Sequence, residues 1–208
     1  MNLLHNFINE CDIALKTLSF KKSGTGRSYP ASETSSSLSK EEKNLSAQLM
    51  RVNLAGEVAA QALYRGQAMV CKDAEIKNHL VQAGEEETDH LIWCKKRLEE
   101  LNGKPSILNP VWYAGSFTIG AIFGSFGEKT SLGFVEETEK QVVKHLERHL
   151  DKVSKNDTQT IEILKTMRAD EDEHAQEAVE NGSESLSQPT KKLMSFTAKV
   201  MTSSSAYI

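Results

Sequence analysis

KEEKNLSAQLMRVNLAGEVAAQALYRGQAMV, residues 40–70, decides the fold. Leu45, Leu49, Val52, Gly56, Ala59, Leu63 and Gly66 recur at spacings of three and four, the period of one helical face. Ser39, followed by Glu41 and Glu42, supplies a helix start with acidic residues in the first turn. One charge breaks the pattern. Glu57 lies among Ala55, Gly56, Val58, Ala59 and Ala60, where a carboxylate without a partner is costly.

Downstream, a second helix is predicted from about Asp73 to Leu101, stopping at Asn102-Gly103 with Pro105 just beyond. A third covers about Ser131 to Val153, and a fourth about Asp157 to Asn181, ending before Gly182. No strand-like alternation competes with these helices. Four long helices, with one long connection between the second and third, predict an all-α four-helix bundle. That connection holds VWYAGSFTIGAIFGSF, residues 111–126, which carries no formal charge. It is shorter than the roughly 20 residues a helix needs to span a bilayer, and it contains three glycines. Two readings stand for it: a buried core helix, or an apolar face lying in a membrane surface.

The flanks are different. MNLLHNFINECDIALKTLSF at the N-terminus includes Glu10 and Asp12 and has no basic stretch leading into a long apolar one. It reads as a short amphipathic helix rather than a secretory signal. Residues 22–39 are rich in Ser, Gly and Thr and read as a linker or long surface loop. A last amphipathic helix is expected over about Pro189 to Met201. The organisation is therefore an N-terminal helix (1–21), a linker (22–39), the bundle (40–182) and a tail helix (183–208).

A net charge of −4 argues against nucleic acid, whose partners usually present a basic surface. Cys11, Cys71 and Cys94 are odd in number and form no C-x-x-C pair, which disfavours a disulfide framework or a thiolate zinc site and suits a reducing, cytoplasmic setting. Cys94 reads as a small buried apolar residue.

The chemistry sits in two repeated motifs. Glu87-Thr88-Asp89-His90 falls on the second helix and Glu171-Asp172-Glu173-His174 on the fourth. Three residues is nearly one helical turn, so each Glu and His share a face. Glu57 on the first helix and Glu139 on the third complete a set of one Glu from each of two helices and Glu-x-x-His from each of the others, the arrangement of di-metal bundles. Any one of these residues would ordinarily be a solvated surface charge. Spread over four successive helices they point to a metal pair. Four carboxylates offset four positive charges, and oxygen and nitrogen donors without thiolate suit iron or manganese. Asp89 and Asp170, beside the proposed ligands, read either as acids that orient an imidazole on the opposite helix or as plain exposed acids. Tyr64, two turns after Glu57, either borders the site or fills the core.

RVNLAGEVAAQALYRGQ (51–67), EETDH (86–90), NPVW (109–112), the 139–145 segment and DEDEH (170–174) resemble, in this order, the demethoxyubiquinone hydroxylase family of ubiquinone biosynthesis. The resemblance implies a ferritin-like bundle with extra short apolar and terminal helices. It implies an O₂-dependent di-iron monooxygenase that hydroxylates the ring of a polyprenylated demethoxyubiquinol with electrons derived from NADH. Two iron ions would be held by Glu57, Glu87, His90, Glu139, Glu171 and His174, and His145 matches a family histidine assigned to electron or proton relay. The resemblance also implies a peripheral protein on the cytoplasmic face of the cell membrane, with residues 111–126 as the membrane-contacting element and other ubiquinone-biosynthesis proteins as partners. Two positions depart from the family pattern: Leu54 stands where His is usual, and Leu146 where many members have Tyr. The alternative is another ferritin-like di-iron protein: a peroxidase, a tRNA hydroxylase or an iron-storage protein.

Overall fold

The structure, a computed structural model, describes residues 3–31 and 37–207. Seven helices occur among them: α1 (Leu3–Leu18), α2 (Lys40–Val70), α3 (Ala74–Glu100), α4 (Asn109–Ser125), α5 (Glu128–Lys152), α6 (Thr158–Glu180) and α7 (Gln188–Ser205). No strand is present among the described residues. The expected all-α bundle is formed by α2, α3, α5 and α6. Within it α2 runs along α3 and α5 along α6.

The helix start read at Ser39 is capped as expected, and two further starts are capped by aspartates. Ser39 forms a capping box with Glu42, while Asp73 and Asp157 accept the first free amides of α3 and α6. The helix expected from Ser131 begins three residues earlier, at Glu128, because Gly127 takes φ 107° and turns the chain directly from α4 into α5.

Helix α4 bears on one of the two readings of residues 111–126. Only Asn109, Tyr113, Gly120 and Gly124 of this helix are buried, so the core-helix reading does not hold. It lies on α2 instead, at backbone contact. A Cβ on Gly66 would come within 2.1 Å of the Phe117 carbonyl oxygen, and one on Gly120 within 2.2 Å of the Leu63 carbonyl oxygen. The glycines are what permit this approach. The outer edge of α4 keeps Val111, Ile122 and the following Phe126 exposed. None of the described helices is long and apolar enough to cross a membrane.

Helix α7 is tied across the bundle at both ends. Lys191 pairs with Glu137 of α5 at 2.9 Å, and Trp112 of α4 donates to the Ser205 hydroxyl at 2.9 Å. Residues 19–31, apart from a turn after α1 and bends at Thr25 and Ala31, form no regular element, as a linker would. They nonetheless lie along α3 and are bonded to it. Residues 32–36 of the expected linker lie outside the described residues.

Buried apolar residues fall into two clusters. One gathers Met50, Leu54, Val58, Leu91, Leu98, Leu146, Ile163 and Met167; the other gathers Tyr64, Leu80, Val135 and Ala178. Along each bundle helix the chain passes from one cluster to the other, and the polar layer between them is the site described below. Leu54 and Leu146, the two departures from the family pattern, are both buried in the larger cluster. There they serve as packing residues.

Candidate metal centre

Each bundle helix sends its acidic residue inward at the level of the polar layer. Glu57, Glu87, Glu139, Glu171, His90 and His174 are all at most 4% exposed. Glu57, Glu87, His90 and Glu171 each offer a ligand atom within 4.8 Å of the others. His174 joins them across the bundle, its Nδ1 lying 3.2 Å from a Glu87 oxygen and 3.4 Å from a Glu171 oxygen. Glu139 closes the far side. It accepts a hydrogen bond from the Tyr64 hydroxyl at 2.9 Å, and it feels the charges of Glu171, Glu87 and His174.

The contacts have a twofold pattern. Glu87 lies 3.2 Å from the Nδ1 of its own-helix His90 and 3.2 Å from that of His174 on α6. Glu171 lies 3.4 Å from its own-helix His174 and 3.2 Å from His90 on α3. These two carboxylates are thus each shared between both imidazoles. Glu57 stands at the His90 end, 3.8 Å from Nδ1.

The outward nitrogens are held by acids. His90 Nε2 meets Asp170 at 2.8 Å and His174 Nε2 meets Glu86 at 3.0 Å, each acid on the opposite helix. An acid on Nε2 keeps the proton there and leaves the Nδ1 lone pair facing the carboxylates. Asp170 therefore has the orienting role, one of the two read for it. Asp89 does not: it accepts from the Thr25 amide at 3.3 Å and from the Thr25 hydroxyl. Glu86 is the residue that sequence reading missed. It hides in the run Glu85-Glu86-Glu87, yet it precedes Glu87 as Asp170 precedes Glu171, and that repeated acid-Glu-x-x-His pattern was the available signal.

Six ionisable groups in a dry layer cannot stay charged without counter-charges. Burial, then Glu87 and Glu171, raises the Glu57 carboxyl well above its usual range; burial, then Glu171 and Glu87, does the same to Glu139. Burial opposes the charging of His90, but Asp170, Glu171 and Glu87 outweigh it and raise its pKa. Protons thus fill the site when nothing else does. A metal pair fits it as well. Glu57 Oε2, Glu87 Oε1, Glu171 Oε2 and His174 Nδ1 are buried and crowd one another without being aligned in hydrogen bonds, which suits inward ligand atoms.

Cys94 is buried, its thiol pKa raised first by burial, and it touches Met167 on the apolar side of the cluster. The packing role expected of it is the one it has. Tyr64 meets both of its readings at once, as a core residue that also binds Glu139.

His145 lies on α5, six residues beyond Glu139, and no hydrogen bond among the described residues joins it to the six. Its ring packs on His149, with centroids 4.0 Å apart. Burial, then Arg148 and Lys152, lowers His145 to about 4; burial, then His145, lowers His149 to about 2. An unfolded histidine takes its proton near pH 6.5, so between that pH and the lowered values only the unfolded chain is protonated. Stability is therefore expected to fall as pH drops below about 6.5, by up to about 1.4 kcal/mol per pH unit for each histidine. Urea denaturation of His149→Gln between pH 7 and pH 5 checks this. The variant should lose less stability than the parent over that interval, and an unchanged slope would contradict the assignment.

Fold and site together define a ferritin-like all-α bundle with a buried carboxylate–imidazole cluster able to hold metal. The comparisons narrow the class. The model of the family described as ubiquinone biosynthesis protein COQ7 matches residues 44–205, and the chain belongs to that family. It is 49% identical over 209 residues to a 3-demethoxyubiquinol 3-hydroxylase of Legionella pneumophila (strain Lens), covering 100% of this chain and 98% of the relative. Proteins of the same name from Francisella philomiragia (47% identical; 97% of this chain, 96% of the relative) and Nitrosococcus oceani (47%; 100% and 98%) are similar along nearly their whole lengths.

Proposed function

We propose that this chain is a di-iron monooxygenase that hydroxylates the ring of demethoxyubiquinol in ubiquinone biosynthesis. The observation that carries the reading is the sharing of Glu87 and Glu171 between two imidazoles, in a chain nearly half identical to named 3-demethoxyubiquinol 3-hydroxylases over its full length. Glu57, Glu87, His90, Glu139, Glu171 and His174 are the residues assigned to hold two iron ions, all within the 40–182 bundle. Bound there, a di-iron centre supplies O₂ activation, so that one oxygen atom enters a ring C–H bond and the other leaves as water. The electrons required are assigned to NADH on the family resemblance.

The protein's own part is to hold and to shield. Asp170 and Glu86 keep the Nε2 protons and aim both Nδ1 atoms inward. Tyr64 steadies Glu139. The apolar clusters on either side of the layer exclude water, which strengthens each charge interaction within it. His145 is assigned the relay; two mostly buried imidazoles in ring contact, both uncharged at neutral pH, are suited to passing a proton without storing charge.

The substrate's prenyl tail calls for an apolar surface. The outer edge of α4 (Val111, Ile122, then Phe126) and the exposed stripe Leu193, Phe196 and Val200 of α7 support peripheral contact with the cytoplasmic face of the membrane. An assay of iron-loaded protein with a short-tailed demethoxyubiquinol under ¹⁸O₂ tests the function. The product should gain one ¹⁸O atom. Absence of product, or oxygen drawn from water, would refute the reading.

A further inference from the structure

The segment between α1 and α2 does more than connect. Lys22 Nζ reaches the Gly84 carbonyl at 3.4 Å, Thr25 binds Asp89 through its amide and hydroxyl, and the Tyr29 hydroxyl donates to Glu100 at 3.1 Å. Gly24 sits so close to Asp89 that a Cβ there would lie 2.0 Å from its carboxylate oxygen. These four ties lay the strand of chain along α3. At its centre Arg27 crosses to α6. Its guanidinium forms two contacts with Asp170, Nη1 at 2.7 Å from Oδ2 and Nη2 at 3.0 Å from Oδ1, and it stacks over the Trp93 ring at 4.9 Å. The Trp93 ring in turn lies 5.3 Å from that of His90.

Asp170 Oδ2 is therefore shared between Arg27 and His90 Nε2. The other end of the site has no such brace among the described residues: Glu86, which holds His174, takes an amide from Gln82 at 3.2 Å on its second oxygen, and Arg27 reaches it only as a charge at a distance, without a bond. We infer that Arg27 is a positioning residue that acts through Asp170 on His90 and makes the two metal positions unequal, the one at His90 being the tighter. The inference rests on the metal-centre reading above. It also assigns a role to residues before 44, where the family model's match begins. A guanidinium matters here for its geometry, since a fork binds both carboxylate oxygens at fixed spacing and a lysine ammonium binds as a point.

The test is anaerobic titration of the full chain with Co(II), followed by visible absorption, for the parent, Arg27→Ala, Arg27→Lys, Asp170→Asn and the Arg27→Ala/Asp170→Asn double variant. The parent should bind two Co(II) in separable steps. Loss of a partner behind a ligating histidine costs roughly 10–100-fold in metal affinity. Arg27→Ala should weaken one step about tenfold, at the lower end of that range, and leave the other within about twofold. Arg27→Lys should recover part of the loss, and the double variant should be no worse than Asp170→Asn alone. Arg27 is 39% exposed, so its variants should keep the parent's helicity by circular dichroism. Equal binding by Arg27→Ala and parent, equal weakening of both steps, or additive losses in the double variant would overturn the inference. A parent that binds no Co(II) would overturn the metal-centre reading first and the inference with it.

Discussion

Glu171→Ala is expected to abolish hydroxylation and to prevent binding of a metal pair while leaving the bundle folded. Glu171 lies between both imidazoles, so its removal takes a donor from each metal position and one of the four charges that offset the pair. The loss should exceed the roughly 100-fold that removal of an outer hydrogen-bond partner produces. Stability should change little. Without metal, Glu171 is packed against like acids and also between two imidazoles that it helps to charge, so its removal relieves one set of interactions and loses another. Glu171→Gln keeps the volume and removes the charge, and the metal-free variant should melt within about 4 °C of the parent, the equivalent of about 1 kcal/mol in a chain of this size. Iron bound per chain and a thermal melt, run on the same samples, check both halves. Retained activity would remove Glu171 from the site; a collapse of the melt would make it a structural residue.

Asp157→Ala is expected to be the most destabilising single change outside the site. Asp157 is fully buried at the start of α6, where it accepts the Thr160 amide at 3.0 Å and the Arg97 guanidinium at 2.7 Å. Arg97 is itself buried on α3, so the alanine removes its buried carboxylate partner, leaves only the partly exposed Glu100 to offset the guanidinium, and uncaps the helix. Breaking one side of a buried pair costs about 3–5 kcal/mol. In a chain of 208 residues that corresponds to a fall in melting temperature of roughly 6–20 °C. Because Arg97 and Asp157 lie at the far end of α3 from the Glu86–His90 motif, iron binding at low temperature should survive. A melt within about 2 °C of the parent would show that Thr160, Gln159 and Glu100 suffice for Arg97.

The two variants separate what was legible in the sequence from what was not. Helix starts at Ser39, Asp73 and Asp157 could be read because capping is local chemistry. The six inward residues could be read because Glu and His three apart share a face, and because Glu57 sits among residues too small and apolar to tolerate it. Partners across helices were legible only in part. The acid before each Glu-x-x-His motif points to Glu86 as it does to Asp170, but whether Glu86 or Asp89 meets the opposite imidazole depends on the axial offset of α3 against α6, which spacing along one helix does not encode. The Arg97–Asp157 pair joins positions 60 apart with no motif between them. Helix α4 stayed open between two readings for a related reason. An uncharged run has one composition whether it is enclosed or laid on a surface, and only the glycine contacts with α2 tell which edge faces inward. Residues 22–31 read as a linker because Ser, Gly and Thr dominate them, while their bonds to α3 and α6 depend on tertiary position.

Anomalous diffraction at the iron edge, from crystals grown with Fe(II) without oxygen, tests the central claim most directly. The account predicts two peaks in the polar layer between the apolar clusters, one beside Glu57 and His90 and one beside Glu139 and His174, with Glu87 and Glu171 between them. A single peak, or iron found only at the protein surface, would contradict it.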